Sequence, residues 1–333
     1  MSLTEKPTHA NDSAPYVVGI DLGATNIKLG ILKHGDVLVR NQIRTADFAQ
    51  PADAFLRVRE FAEQAIHDQG DRPSSLRSVG LAMPGVIDDA GAVLVETANL
   101  HAWKGISFHA ELARVFQRPV AVINDANAAA LGEARFGRHR TSSLALLTIG
   151  TGIGGGLIVD GRAIGGAHGC GGEIGHVTID HSSSARVCGC GKPGHLEAYA
   201  GAAGIVKTAM EFLRVPRQSS RLHDAENLTP RLIAQAAESG DVIASQAVEQ
   251  TALYLGRAIA MLAHLTDPSV VLLGGAINFG AGETVTGRRF LQTIRAEVAR
   301  RSLVQAGTQV TIDFASLGND AGMLGAAQHA MDV

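Results

Sequence analysis

Between His176 and His195 the chain gathers two imidazoles and two thiols, His176, Cys188, Cys190 and His195, within twenty residues. Zinc is closed tetrahedrally by such nitrogen and sulfur donors, and a glycine-rich loop with little core of its own gains folding energy from the ion. No spare carboxylate or open position suggests metal-activated water, so Zn2+ is expected here in a structural role. A loop that holds no metal, or a site completed by Cys170, are the alternatives. The chain has three cysteines, Cys170, Cys188 and Cys190, all within one glycine-rich stretch. That is unlike a disulfide scaffold and fits a reducing, cytoplasmic compartment.

A second signal is a carboxylate at a strand end. Val120 to Ile123 reads as a short strand that stops at Asn124-Asp125, just before the Ala-rich helical stretch from Ala126 to Arg135. Residues there either cap the helix or project into a cleft.

Glycine-rich turns supply the third signal. Asp21-Leu-Gly-Ala-Thr-Asn26 follows an apolar strand; Gly23 lets backbone approach a phosphate, Thr25 and Asn26 can donate hydrogen bonds, and Asp21 can hold Mg2+ through water. An ordinary hairpin turn uses the same residue types. Gly150-Thr-Gly-Ile-Gly-Gly-Gly156 contains a G-x-G-x-x-G match at Gly150, Gly152 and Gly155. A dinucleotide site needs a helix after those glycines, and here the strand-like Leu157-Ile-Val-Asp160 follows. The chain has no G-x-x-x-x-G-K-[ST] loop either. Two Gly/Thr hairpins, with Thr151 at the tip of the second, suit a clamp on a triphosphate.

These residues must be carried by a scaffold. The first hairpin spans Tyr16 to Leu32 and the second Ser143 to Ile164, which suggests an internal duplication. Helices are expected over Pro51–Gln69, Phe108–Phe116 and Asp320–Met331, strands over Ser78–Met83 and Ser269–Leu273, and a mostly helical stretch over Glu197–His264. The chain of 333 residues, 46% hydrophobic and 18% charged, suits two α/β lobes with largely parallel sheets and a cleft. Its net charge of −3 gives no footprint for nucleic acid. No membrane partner is expected, and residues 1–15, polar and without the apolar core of a signal peptide, read as a tail.

With these motifs placed, the chain resembles the ROK family of repressors and sugar kinases, within the actin, hexokinase and Hsp70 superfamily, from Val17 to about Ala330. The markers are the second hairpin, Asn124-Asp125-Ala-Asn127, Gly172-Glu173-Ile-Gly-His176 and Cys188-Gly-Cys-Gly-Lys-Pro-Gly-His-Leu-Glu197. The resemblance implies an actin-like ATPase fold with duplicated ribonuclease-H-like lobes, a small lobe over 16–123 plus 318–333 and a large one over 124–317 carrying a zinc loop at 176–197. It implies ATP bound by Asp21, Gly23, Ala24, Thr25, Asn26, Lys28, Gly150, Thr151 and Gly152, with Gly274-Gly275 near the adenosine. A hexose would be held by Pro84, Gly85, Asn99, Asn124, Asp125, Glu173, His176 and Glu197, and Asp125 would take the proton of the attacking hydroxyl.

Asn99-Leu-His-Ala-Trp103 resembles glucose-specific members, so glucose phosphorylation is the leading expectation. Fructose, mannose, N-acetylhexosamines, glucosides and a polyphosphate donor are alternatives, as is a non-catalytic sugar-responsive regulator. The repressor branch carries a helix-turn-helix domain before the first hairpin, where this chain has its short tail, which favours a kinase. Relatives are commonly homodimers or homotetramers. Where the family pattern has a third cysteine, this chain has His195.

Overall fold

The computed structural model describes residues 15–85, 103, 105–215 and 219–333. Along the chain come β1 (Tyr16–Leu22), β2 (Asn26–Lys33), β3 (Asp36–Arg44), α1 (Pro51–Asp68), β4 (Leu76–Met83), α2 (Phe108–Phe116), β5 (Val120–Asn124) and α3 (Asp125–Phe136). There follow β6 (Leu144–Ile149), β7 (Ile153–Val159), β8 (Arg162–Ala163), α4 (Glu197–Ala200), α5 (Ala202–Leu213), α6 (Pro230–Glu238) and α7 (Val242–Leu265). The last elements are β9 (Val270–Gly274), α8 (Val285–Arg301), α9 (Val304–Gln309), β10 (Thr311–Phe314) and α10 (Ala321–Met331). Among the described residues no helix is long and apolar enough to cross a membrane.

The elements form two units, one of residues up to Ala128 with Gly322–Val333 and one of Ala129–Ala321. In the first, the sheet order is β3-β2-β1-β4-β5, with β1 antiparallel to β2 and parallel to β4. In the second, the order is β10-β9-β6-β7-β8, with β6 antiparallel to β7 and parallel to β9. Read from its own first strand, each sheet has the same connectivity, as an internal duplication gives. The mixed α/β class expected from the alternating pattern is what the chain adopts.

Burial explains which strands sit centrally. In β1 every side chain is buried except the half-buried Asp21, and β6 is buried at all but one position. Such continuous apolar runs belong to strands covered on both faces. In the first unit, α1 contributes Ala54, Phe55, Val58, Ala62, Ala65 and Ile66, an i, i+4 stripe. Trp103 also lies in that core, beside Phe108. In the second unit α7, at 24 residues, buries Ile243, Ala247, Leu255, Ile259 and Leu262.

Three strands, β3, β10 and the two-residue β8, were not legible from pattern. In β3 the residues are mostly exposed or half-buried, and β10 has one buried side chain in four. Edge strands lack the apolar signal on which periodicity depends.

The N-terminus of α7 is fixed by Asp241. Its carboxylate accepts from the Ala244 N–H at 3.0 Å, the Arg221 N–H at 2.8 Å and the Ser220 hydroxyl at 2.9 Å. Burial alone would raise its pKa, but these hydrogen bonds outweigh it and hold the group below the usual carboxylate value. A pKa lower in the folded than in the unfolded chain stabilises above the unfolded value and is lost as pH falls through the folded one. Asp241→Ala should therefore cost about 1–2 kcal/mol in denaturant unfolding at pH 7. The gap from wild type should shrink when the measurement is repeated in acid; an equal gap at both pH values would mean that charge does not carry the cap.

Candidate functional site

In the first unit the chemistry-bearing turns share one edge of the sheet. Strands β1, β4 and β5 are parallel, with Asp21 opposite Ala82 and Met83 opposite Asn124. Their carboxyl ends thus bring Asp21, Pro84-Gly85 and Asn124-Asp125 to the side where open α/β sheets bind ligands. The Asn124 side chain accepts from the N–H groups of Ala126 at 3.0 Å and Asn127 at 3.1 Å, which caps α3, and donates to the Gly85 carbonyl at 3.1 Å. Asp125 is exposed in the first turn of α3, and its carboxylate accepts from the Ala126 N–H at 2.8 Å. The capping role open to both residues thus falls mainly to Asn124.

Asp21 faces Lys28 across the β1–β2 hairpin at 3.6 Å and lies against Gly322 in α10. Burial raises the Asp21 pKa, with Lys28 opposing the shift. The intervening turn closes through the Gly23 N–H to the Asn26 carbonyl, 3.0 Å, and leaves Ala24 and Thr25 exposed. Thr45, from the end of β3, pins the turn through its hydroxyl to the Gly23 carbonyl at 2.7 Å and its N–H to the Thr25 carbonyl at 3.0 Å. Asn99 lies outside the described residues.

The second unit repeats the arrangement. The carboxyl ends of β6, β9 and β10 border a cavity of about 290 Å³ whose lining includes Thr148, Gly274, Gly275, Asn278, Ala315 and Asn319. Gly275 has φ +89°, and a Cβ there would collide with the Ile149 backbone, so only glycine turns the chain here. The Gly150–Gly152 turn between β6 and β7 closes through the Gly150 N–H to the Gly152 carbonyl at 2.9 Å and exposes Thr151.

Four donors converge in the same unit. His176 Nδ1 lies 3.2 Å from His195 Nδ1, Cys190 Sγ 3.3 Å from His195 Nδ1, and Cys188 Sγ 3.9 Å from His176 Nδ1. All four ligand atoms fall within 4.8 Å of one another. Tetrahedral zinc with bonds of about 2.0–2.3 Å sets its ligands roughly 3.3–3.8 Å apart, so the residues present fit such an ion. Burial pushes the Cys188 thiol up to about 11, so metal binding would displace a proton from it near neutral pH. Cys170 is exposed and its thiol lies against the His168 carbonyl, apart from this cluster.

His176 presents its two ring nitrogens in different directions. Nδ1 belongs to the cluster, while Nε2 is 3.9 Å from the Glu173 carboxylate. Glu197 joins the cluster to the glycine turn: Oε2 accepts from the Ile153 N–H at 2.9 Å, and Oε1 accepts from the Cys188 thiol at 3.4 Å. A Cβ on Gly152 would strike Glu197 Oε2, so that glycine makes room for the carboxylate.

Motif reading missed what anchors the cysteine loop. Arg186 sends its guanidinium to Glu211 at 2.7 Å and to Thr208 at 3.0 Å, both on α5, and stacks on Tyr199 at 4.9 Å. Tyr199 donates its hydroxyl proton to Asp180 at 2.5 Å and accepts from the Arg186 N–H at 2.8 Å. Burial and the Asp180 carboxylate push the tyrosine up to about 12. An Arg between Ala185 and Val187 carries no local signal for this role, because its partners are 13 to 25 residues away.

Known proteins share this arrangement of sequence. A model of the ROK family matches residues 17–333. A glucokinase from Halalkalibacterium halodurans is 32% identical over 315 residues, covering 93% of each chain. A xylose repressor from Caldicellulosiruptor bescii is 27% identical over 95% of this chain and 78% of its own. Among solved structures, a ROK hexokinase from Thermus thermophilus superposes with a TM-score of 0.76 at 31% identity, covering 95% of this chain and 98% of its own. Its sheets, its motifs and a family model spanning nearly its whole length together establish that the chain belongs to the ROK family, with the two-lobed actin-like fold.

Proposed function

We propose that this chain is an ATP-dependent sugar kinase that transfers the γ-phosphate to a hexose hydroxyl, with glucose as the leading acceptor. The observation that carries the reading is the Asn124-Asp125 pair. Asn124 makes most of the helix-capping bonds and fixes the Gly85 turn, and the exposed Asp125 carboxylate stands at a strand's carboxyl end in the first turn of α3. A carboxylate so placed orients a sugar hydroxyl and accepts its proton as the new P–O bond forms. The glucokinase and hexokinase names of the relatives support the same chemistry.

In this reading Pro84, Gly85, Asn99, Asn124, Glu173, His176 and Glu197 hold the sugar. Carboxylates, amides and imidazole supply the paired hydrogen bonds that a pyranose requires. The glycine turns, with Asp21, Ala24, Thr25, Asn26, Lys28 and Thr151, hold the phosphates. The cavity beside Gly274-Gly275 takes the adenosine, and its volume of about 290 Å³ lies at the low end for small-ligand sites. Mg2+, held near Asp21, supplies charge neutralisation of the transferring phosphoryl group. Burial makes an uncompensated Asp21 carboxylate costly, which favours a cation there. Zinc in the His176, Cys188, Cys190, His195 cluster is structural and orients the His176 ring.

A second reading is a sugar-responsive regulator, favoured by the similarity to a xylose repressor over 95% of this chain. Coupled measurement of ADP release with glucose and ATP separates the two. Turnover is expected, and sugar binding without it would establish the regulator. Asp125→Asn should keep sugar binding and lower kcat by about 10²–10⁴-fold. Near-normal turnover would remove Asp125 as the base.

The metal assignment has its own check in elemental analysis. The purified protein is expected to carry close to one zinc per chain, and His195→Ala to lower metal content and Tm together. His195→Cys should keep zinc, because thiolate is a good fourth ligand. Full zinc with unchanged Tm in His195→Ala would show that another group closes the site.

A further inference from the structure

Glu133, in the last turn of α3, is fully buried, yet it is a carboxylate in a stretch otherwise rich in alanine. A buried carboxylate costs several kcal/mol unless hydrogen bonds replace its water. Three donors do so here. Oε1 accepts from the N–H groups of Ser316 and Leu317, each at 2.7 Å, and Oε2 accepts from the Ser316 hydroxyl at 2.9 Å. Every one comes from a single two-residue stretch, 183 and 184 positions along the chain.

Two further bonds reach that stretch, from the Arg138 N–H to the Ser316 hydroxyl oxygen at 2.9 Å and from the Asp320 N–H to the Leu317 carbonyl at 3.1 Å, but neither engages its own backbone N–H groups. β10 ends at Phe314, the Ala315 N–H makes a last bond to the Leu273 carbonyl at 2.9 Å, and a short 3₁₀ turn begins at Gly318. Ser316 and Leu317 fall between the two. The neighbours on either side, Ala315 on one and Gly318 and Asn319 on the other, line the cavity beside Gly274-Gly275, and Glu133 itself borders it. Glu133 is thus the acceptor for both backbone N–H groups in the part of the wall that joins Ala315 to Gly318.

We infer that Glu133 is a positioning residue for nucleotide binding: through the Ser316–Leu317 backbone it holds the 315–319 wall of the cavity in the shape that receives the nucleoside. The inference rests on the reading of that cavity as the adenosine site. Glu133 then acts through the backbone that it holds.

The conservative variant makes the role testable. In Glu133→Gln the amide oxygen can accept from both N–H groups, while its NH₂ can donate to the Ser316 oxygen, so the wall stays in place. In Glu133→Ala both N–H groups lose their acceptor. Calorimetric titration with ADP and steady-state KM values for ATP and glucose read the outcome. We expect Glu133→Ala to weaken ADP binding and raise the KM for ATP by about tenfold or more, since hydrogen bonds to a charged group are worth roughly 1.5–3 kcal/mol. The KM for glucose should change much less, and Glu133→Gln should keep ADP affinity within about threefold of wild type, because both N–H groups keep their acceptor and the third bond can form in the reverse direction.

Should Glu133→Ala fail to fold, Ser316→Ala gives the same reading. It removes one bond to Glu133, and the bond from the Arg138 N–H to the Ser316 oxygen, at 2.9 Å. ADP affinity should drop severalfold without a matching shift in glucose KM. Unaltered ADP affinity in a folded Glu133→Ala or Ser316→Ala variant, or equal losses for ATP and glucose, would overturn the inference while leaving the nucleotide reading intact. Wild-type protein that binds no ADP would overturn both.

Discussion

Parallel pairing to a central strand is the constraint on which the rest of this molecule depends. In each unit the first strand pairs on one side with its own hairpin partner and on the other with a parallel neighbour. Parallel strands need long crossovers, and their carboxyl ends then share an edge with the loops that follow. That geometry sends Asp21, Gly85 and Asn124 to one edge of the first sheet, and Gly150, Gly274 and Ala315 to one edge of the second. The hairpin contributes a glycine turn to the same edge in both. Chemistry-bearing residues far apart in sequence become neighbours because the strands that deliver them run in one direction.

Polar groups at these edges are held by specific acceptors and donors. Asn124 caps α3 and secures the Gly85 carbonyl with one side chain, so the helix start and the β4 turn are fixed together. Glu197 likewise joins the Ile153 N–H to the Cys188 thiol, which sets the cysteine loop against the glycine hairpin. Arg186, with Tyr199 and Asp180, ties the same loop to α5 by side-chain bonds that need no metal. The loop is thus braced from two sides, and a bound ion would add a third.

Buried carboxylates in this chain take different partners according to where they sit. Glu297, at 4% exposure, lies among Arg300 and Arg301, whose guanidinium groups hold it ionised against the cost of burial. Asp21 has Lys28 across its hairpin, and burial still raises its pKa. Glu133 is met by two backbone amides and a hydroxyl. The charge of Glu297 is held by arginines three and four residues on and so ties adjacent turns of α8, whereas a charge held by amides dictates the path of a loop.

The local signals in the sequence were short-range patterns, and they determined a good deal. Continuous apolar runs marked β1, β4 and β6; turn chemistry marked both glycine hairpins; and the spacing of His176, Cys188, Cys190 and His195 anticipated four donors that the fold brings within 4.8 Å. The edge strands β3 and β10 escaped notice because half-exposed strands carry little hydrophobic alternation. So did α8, whose buried face mixes Thr286, Gly287 and Glu297 with Phe290, Leu291, Ile294 and Val298, while five arginines fill its exposed side. Tertiary structure alone decided that Asn124 rather than Asp125 does most of the capping, that Cys170 stands apart from the cluster of two histidines and two cysteines, and that Glu133 meets Ser316. Residue types and spacings state which groups a segment offers. Which acceptor a donor finds across 183 positions depends on how the strands between them are paired, and only the folded chain fixes that.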